Sequence, residues 1–266
     1  MIKSFFRSLE TQRVNYLLIS GQAAVLYGAA HFSEDIDLWV EPAVDNINSF
    51  AEVLRIHKAR YYKLTPKLEA KALNAGHGFH FTLPDETGPE VYVDIMGRPP
   101  RVGDFPAAAT QSVVMDSEWG GLRTIGIKDL IELKKTQRLQ DYPVISKLVL
   151  RYLAERALSL VGDSLKTDLL WGLANLFTLD AVEELFAFHA TAAEIEGDET
   201  VAPLIRFGAA LRQGEQDTQL EEQATQSMSA RMAELQQQDR LYWRDIIQQL
   251  RQMRANGELV PEGTLV

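Results

Sequence analysis

Apolar and polar positions alternate in short blocks over the first part of the chain. Apolar runs and two-residue alternation are typical of strands, whereas apolar positions three or four residues apart are typical of amphipathic helices. The predicted strands are residues 14–20, 35–40, 78–83, 90–96, 112–115 and 122–125. The predicted helices are residues 2–12, 22–27, 46–57, 66–73 and 127–139. Helices and strands mixed in this order predict the α/β (α+β) class, with helices packed on a sheet.

Helical spacing dominates the second half of the chain, where prolines become rare after Pro143. Because the residue before a proline is biased away from helix, we predict a domain boundary there. It separates a core at 1–142 from an all-helical domain at 143–266. In the tract 213–254, an apolar stripe predicts one or two amphipathic helices, and we favour packing over partner binding for this stripe. The stripe comprises Leu220, Ala224, Met228, Met232, Leu235, Tyr242, Ile246, Leu250 and Met253.

Composition narrows the class of protein. With 266 residues, of which 46% are apolar and 24% charged, the chain is typical of a globular protein. No apolar run reaches the roughly 18 residues needed to cross a bilayer, and the start lacks the features of a signal peptide. Cysteine is absent, which excludes disulfides and thiolate chemistry. We therefore expect a cytoplasmic protein without a membrane partner, and the formal charge of −10 argues against an extended nucleic-acid-binding surface.

Candidate chemistry is concentrated in Ser20-Gly21 and, thirteen residues later, Asp35-Ile36-Asp37. Side chains two residues apart on a strand point to the same face, so the two acids are expected to lie side by side. Adjacent carboxylates repel each other unless a cation lies between them, and their hard oxygens suit Mg²⁺ or Mn²⁺. The change from strand to helix at Gly21 also presents backbone N–H groups that suit a phosphate.

A third acid, Asp94, lies within the apolar strand 90–96. Burying an unpaired carboxylate is costly, so its presence there needs a reason. A metal site shared with Asp35 and Asp37 supplies one, and activation of an attacking hydroxyl is a second role. An edge strand that faces water is the simpler alternative.

On these residues the sequence resembles the nucleotidyltransferase superfamily typified by DNA polymerase beta. The matching motifs are the strand and turn at 17–25, the Asp-x-Asp stretch at 32–38, and the later Asp94. A segment at 130–141 is similar to one in small stand-alone bacterial and archaeal members, including abortive-infection nucleotidyltransferase toxins. The resemblance covers residues 14–148 and implies a mixed sheet in the core.

The resemblance implies Mg²⁺-dependent transfer of a nucleoside monophosphate from a nucleoside triphosphate, such as ATP, to an acceptor hydroxyl. The acceptor class stays open between RNA, protein and a small molecule. The implied metal ligands and catalytic residues are Asp35, Asp37 and Asp94. The residues implied to bind the nucleotide are Ser20, Gly21, Lys134 and Arg138. For the last two, four residues apart on one predicted helix face, ion pairing with Glu132 or Asp141 is an equal alternative.

Two positions depart from the family pattern. Ser20 replaces the first glycine of the motif, and His31 lies where the family often has an arginine. These departures motivate a second hypothesis: a catalytically degenerate member that acts as a regulatory or binding module, for example in a toxin–antitoxin pair with a protein partner. A third hypothesis is a helical interaction protein, which predicts a large exposed apolar patch on the tract 213–254.

Overall fold

The computed structural model describes residues 1–85, 88–157 and 163–266. These residues form two compact units, one of Met1–Leu133 with Leu241–Val266 and one of Lys134–Arg240. The first unit thus combines the amino-terminal part of the chain with its carboxyl-terminal segment. The domain boundary after residue 142 stays a prediction.

The first unit contains the sheet and most of the short helices. Its strands are β1 (Tyr16–Leu18), β2 (Ile36–Val40), β3 (Arg60–Tyr61), β4 (Gly78–Leu83), β5 (Val91–Met96), β6 (Val113–Ser117) and β7 (Gly120–Thr124). Its helices are α1 (Ile2–Thr11), α2 (Ser20–Leu26), α3 (Val44–Ile56), α4 (Ala70–Asn74), α5 (Phe105–Thr110) and α6 (Ile127–Leu133). Strand β3 and helix α5 were not predicted, and both are too short for a periodic signal.

Within the described residues the strands form one seven-stranded sheet, in the order β3-β4-β5-β2-β1-β7-β6. Strand β2 pairs in parallel with β5, and β1 pairs in parallel with β7, while the other neighbours are antiparallel. The predicted α/β class with a mixed sheet is therefore confirmed.

The two faces of the central strands differ in polarity. One face is apolar and buried, and it packs against α3 through Phe50 on Phe81 and against α1 through Phe6 on Tyr16. Its core residues include Ile36, Leu38, Phe79, Phe81, Val93 and Ile95. The alternation of strand side chains places the intervening residues, including the candidate acids, on the opposite face.

From residue 127 onward, the elements in the described part of the chain are all helices. After α6 these are α7 (Asp141–Ala157), α8 (Asp163–Ala174), α9 (Leu179–Phe188), a 3₁₀ helix (Ala190–Glu194), α10 (Ala202–Arg212) and α11 (Thr218–Ala255). The tract 213–254 therefore carries one long helix, which begins in the second unit and ends in the first. Ala224 and Met228 of its apolar stripe are buried. None of the described helices is long and apolar enough to cross a membrane.

The predicted helix at 127–139 was wrong in its second half, because α6 ends at Leu133. The Thr136 hydroxyl accepts a hydrogen bond from the Arg138 N–H at 3.1 Å and donates one to Asp141 Oδ2 at 2.7 Å. Such side-chain bonds to the local backbone compete with helix continuation. They form a turn from which α7 begins at Asp141.

Candidate active site

A row of four polar side chains crosses the sheet on the face opposite the apolar core. Asp37 of β2 lies directly opposite Asp94 of β5, and Asp94 lies directly opposite His80 of β4. Tyr62 follows β3 and continues the row, because its N–H donates to the His80 carbonyl at 3.1 Å. Directly opposed residues project to the same face, so the strand register itself brings the Asp37 and Asp94 carboxylates together. Neighbouring strands lie about 4.8 Å apart.

Both oxygens of Asp94 contact other side chains of this row. The Tyr62 hydroxyl donates a hydrogen bond to Asp94 Oδ1 at 2.7 Å. His80 Nδ1 lies 2.9 Å from Asp94 Oδ2, which is ion-pair distance, although its angle does not meet hydrogen-bond geometry. The second contact is thus a close approach at ion-pair distance and not a hydrogen bond. The Asp94 side chain is 21% exposed and the His80 side chain 27%, so the row is open to solvent.

These contacts determine the charge states of Asp94 and Tyr62. Burial alone would raise the pKa of Asp94, but His80, the Tyr62 hydroxyl and the nearby Lys63 charge outweigh it, and the pKa lies below its ordinary value. Burial, the hydrogen bond to Asp94, and the charges of Asp94, Asp35 and Asp37 raise the pKa of Tyr62 well above its ordinary value. Asp94 is therefore ionised and Tyr62 protonated near neutral pH. The charges of all three predicted acids raise the pKa of this one hydroxyl, so the three carboxylates lie in the same region around Tyr62.

Asp35 lies one residue before β2, at the end of a loop that is held against α2. A side chain at Gly21 would overlap Ser33 of this loop. The Gln22 side chain also donates to the Ser33 carbonyl at 2.7 Å, and Ser33 Oγ contacts the Asp35 carbonyl at 3.4 Å. Gly21 thus has a steric role, because it lets the loop that carries Asp35 approach the helix.

Ser20 is the first residue of α2 and has a φ of +58°. This left-handed conformation favours glycine, the residue that the family motif has at this position. A serine in this conformation is strained, whereas a glycine would adopt it without strain. The phosphate-binding role of Ser20 and Gly21 stays a prediction.

Lys134 and Arg138 belong to the second unit and do not share a helix face, contrary to the prediction. The Lys134 ammonium forms a buried ion pair with Asp141 at 3.0 Å. Arg138 Nε lies 3.6 Å from the same carboxylate and is largely exposed. The structure therefore has the alternative arrangement, in which Lys134 and Arg138 pair with Asp141, except that Lys134 is buried rather than solvated. Their role in nucleotide binding stays a prediction.

Sequence reasoning missed three residues in or beside this row of polar side chains: Tyr62, Lys63 and His80. Lys63 is exposed, its Nζ lies 4.7 Å from the centre of the Tyr62 ring, and it places a positive charge near Asp94. His80 lay in a predicted strand, but its partner depends on the register between β4 and β5. No local pattern reports that register, and β3, which leads into Tyr62, is too short to be recognised.

The donor set fits a hard divalent cation that keeps water and substrate ligands. Among the described residues, no group of three or more histidine and acidic side chains is already arranged to hold a metal. Mg²⁺ is usually held by one or two carboxylates together with waters and substrate phosphates, so it does not need such a group. The opposed Asp37 and Asp94, with Asp35 nearby, provide carboxylates of this kind.

A groove of about 750 Å³ lies beyond the carboxyl ends of β2 and β5, within the first unit. It is lined by Trp39, Glu41, Arg98, Arg101, Asp104 and Tyr242, among others. Ligands of open α/β sheets commonly bind outside the carboxyl ends of parallel strands. Asp35, Asp37 and Asp94 do not line the groove, so the groove is a separate space beside these acids.

Comparisons with known proteins leave the family open. The sequence matches no protein-family model and no curated protein. Among solved structures, the chain is similar to a 1.87 Å crystal structure of a candidate nucleotidyltransferase from Thermotoga maritima. The TM-score is 0.34 and the identity 11%, over 59% of this chain and 89% of the other. A likeness of this strength carries no argument about function.

Proposed function

We propose that the protein is a Mg²⁺-dependent nucleotidyltransferase that moves a nucleoside monophosphate from a nucleoside triphosphate to an acceptor hydroxyl. The observation that carries the proposal is the register of β2 and β5, which opposes Asp37 and Asp94 on the polar face of the sheet. Like charges directly opposite each other destabilise a sheet, and a divalent cation bound by both carboxylates would offset that repulsion. The sequence resemblance is what supports a nucleotide bound with this cation.

In the proposed reaction the acceptor oxygen bonds to the α-phosphorus, and the bond between the α- and β-phosphates breaks. Pyrophosphate leaves with the electron pair, and the hydroxyl proton passes to a base. Asp35 and Asp37 are the proposed metal ligands, and Asp94 joins them or accepts the proton. Bound Mg²⁺ or Mn²⁺ would supply neutralisation of the triphosphate charge, the main source of catalysis in such reactions.

Positive charge for the triphosphate has two proposed sources. Ser20 and Gly21 would offer backbone N–H groups, and Lys63 is the exposed cation whose charge acts on Asp94. Lys134 and Arg138 would have to leave Asp141 to take part, which is costly for the buried Lys134. We therefore rank Lys63 above them.

The acceptor is proposed only as a class that carries a hydroxyl group: RNA, a protein or a small molecule. The net charge of −10 disfavours a long RNA surface. The groove at the ends of β2 and β5 has the volume for an acceptor side chain or small molecule. It is also of mixed charge, which suits a polar acceptor better than a long phosphate backbone.

The test is thermal stabilisation by ATP, GTP, CTP and UTP, each with and without Mg²⁺. A ligand at 100 times its Kd adds about 2.7 kcal/mol of stability. We expect a Mg²⁺-dependent rise that is absent from the Asp37→Asn/Asp94→Asn variant. Asp116→Asn, which changes an exposed acid of β6, is the matched control and should behave as wild type. Equal stabilisation of all three proteins would contradict the proposal.

The second candidate is a degenerate nucleotidyltransferase that acts as a regulatory or binding module, for example with a protein partner in a toxin–antitoxin pair. The strained Ser20 favours it. It predicts nucleotide binding that is weak or absent, and no turnover. Pyrophosphate release in the presence of a mixed acceptor pool would exclude it.

A further inference from the structure

The Asp94 carboxylate is held from two other strands by groups that the proposed reaction does not otherwise use. We propose that Tyr62 and His80 are positioning residues, which orient Asp94 for the metal and the acceptor hydroxyl. The inference rests on the proposed function and extends it to these two side chains. Tyr62 holds Oδ1 at 2.7 Å, and His80 Nδ1 lies 2.9 Å from Oδ2.

The Tyr62 hydroxyl is itself fixed in place by backbone and ring contacts. The Tyr62 backbone N–H donates a hydrogen bond to the His80 carbonyl. The Tyr62 ring packs edge-on against Tyr92 at 5.0 Å and against His80 at 5.6 Å. The preceding residue, Tyr61, is paired on its other side with the carboxyl-terminal segment, through bonds to residues 263 and 264. A donor held this firmly can restrict the rotation of the Asp94 side chain.

Restriction of Asp94 has a functional consequence. Groups at a catalytic site must be held within about 0.5 Å of the productive geometry, and hydrogen-bonded outer partners provide this for carboxylates that bind metals. Without Tyr62 and His80, a half-buried Asp94 beside Asp37 would rotate away from the like charge. The two contacts hold it in register with Asp37 instead.

A purely structural role is the competing explanation, since both contacts also offset the burial of Asp94. The two roles differ in what they change. A structural contact alters the stability of the fold and leaves cation affinity unchanged. A positioning contact alters cation affinity even in a variant that folds normally. Tyr62→Phe suits this distinction, because it removes the hydroxyl and keeps the ring that packs on Tyr92.

The experiment measures Mn²⁺ binding by isothermal titration calorimetry on the full chain, with urea unfolding of each variant. Loss of an outer partner typically weakens metal binding 10–100-fold. We expect a loss in this range for Tyr62→Phe and for His80→Ala. Tyr92→Phe removes a hydroxyl from the same face of the sheet and should bind Mn²⁺ within twofold of wild type.

Two failures are distinguishable. If Asp37→Asn abolishes Mn²⁺ binding while Tyr62→Phe and His80→Ala bind as wild type does, the positioning role is overturned and the proposed metal site stands. If wild type itself does not bind Mn²⁺, both the positioning role and the proposed function are overturned. An equal loss in Tyr62→Phe and Tyr92→Phe would also overturn the positioning role, since the effect would not be specific to the contact with Asp94.

Discussion

Lys134 is the residue for which the family resemblance and the geometry lead to different expectations. The resemblance implies a cation for the triphosphate, whereas the ammonium lies 3.0 Å from Asp141 with both side chains about nine-tenths buried. Removing one partner of a buried ion pair leaves the other charge uncompensated. We therefore expect Lys134→Met to destabilise the second unit rather than to weaken nucleotide binding directly.

The magnitude follows from what Asp141 retains. Breaking a buried pair costs about 3–5 kcal/mol when no other partner remains. Asp141 would keep the Thr136 hydroxyl at 2.7 Å and the exposed Arg138 at 3.6 Å. The lower end of the range, about 3 kcal/mol, is therefore expected for Lys134→Met.

Urea unfolding at pH 7 measures this loss, and Mg²⁺–nucleotide affinity is titrated well below the unfolding transition. Lys147→Met removes an exposed lysine of α7 in the same unit, and it should change stability by less than about 0.5 kcal/mol. The reasoning is refuted if Lys134→Met unfolds like wild type and loses nucleotide affinity. That result would restore Lys134 to the binding site that the resemblance implies.

Three further predictions concern stability. Ser20→Gly should raise the free energy of unfolding by about 0.5–1 kcal/mol, because it relieves the positive φ, whereas Gly21→Ala should lower it by overlap with the loop; thermal melts compare the two. Arg231→Met should cost about 2–3 kcal/mol in urea unfolding, since its guanidinium donates to two backbone carbonyls near the end of α8, and an unchanged midpoint would contradict this. Burial lowers the pKa of His57, so the folded state binds fewer protons. Its contribution is complete above about pH 6.5 and is lost as the pH falls through the folded pKa, by at most about 1.4 kcal/mol per pH unit. His57→Asn should flatten this part of the stability profile.

The strands that carry His80 and Asp94 could be predicted because the alternation of apolar and polar residues is visible within each strand. Residues 78–83 and 90–96 alternate apolar core positions with polar ones, and a two-residue period is visible within each segment alone. The same period correctly places Asp37 and Asp94 on polar faces. Their direct opposition depends on the parallel pairing of β2 and β5, which the sequence did not specify.

The rest of the site depends on contacts between distant segments. Tyr62 reaches Asp94 only because a two-residue strand pairs with β4, and nothing in residues 60–62 signals such a strand. The helix at 127–139 failed for a different reason. Its apolar periodicity was genuine as far as Leu133, but competition from the Thr136 and Asp141 side chains ended it there.

The polar face of the sheet argues for function more strongly than the sequence motif does. Gly21 has a sufficient explanation in the packing of Ser33, and the positive φ of Ser20 describes a local turn without indicating what it binds. The opposition of Asp37 and Asp94 instead carries a cost, because like charges in register reduce the stability of a sheet, and the contacts of Asp94 with Tyr62 and His80 offset part of it. Strained residues cluster at functional sites, so Ser20 and the opposed acids together make this face of the sheet the candidate site. The pair of opposed carboxylates is therefore the feature on which any test of the proposed activity should begin.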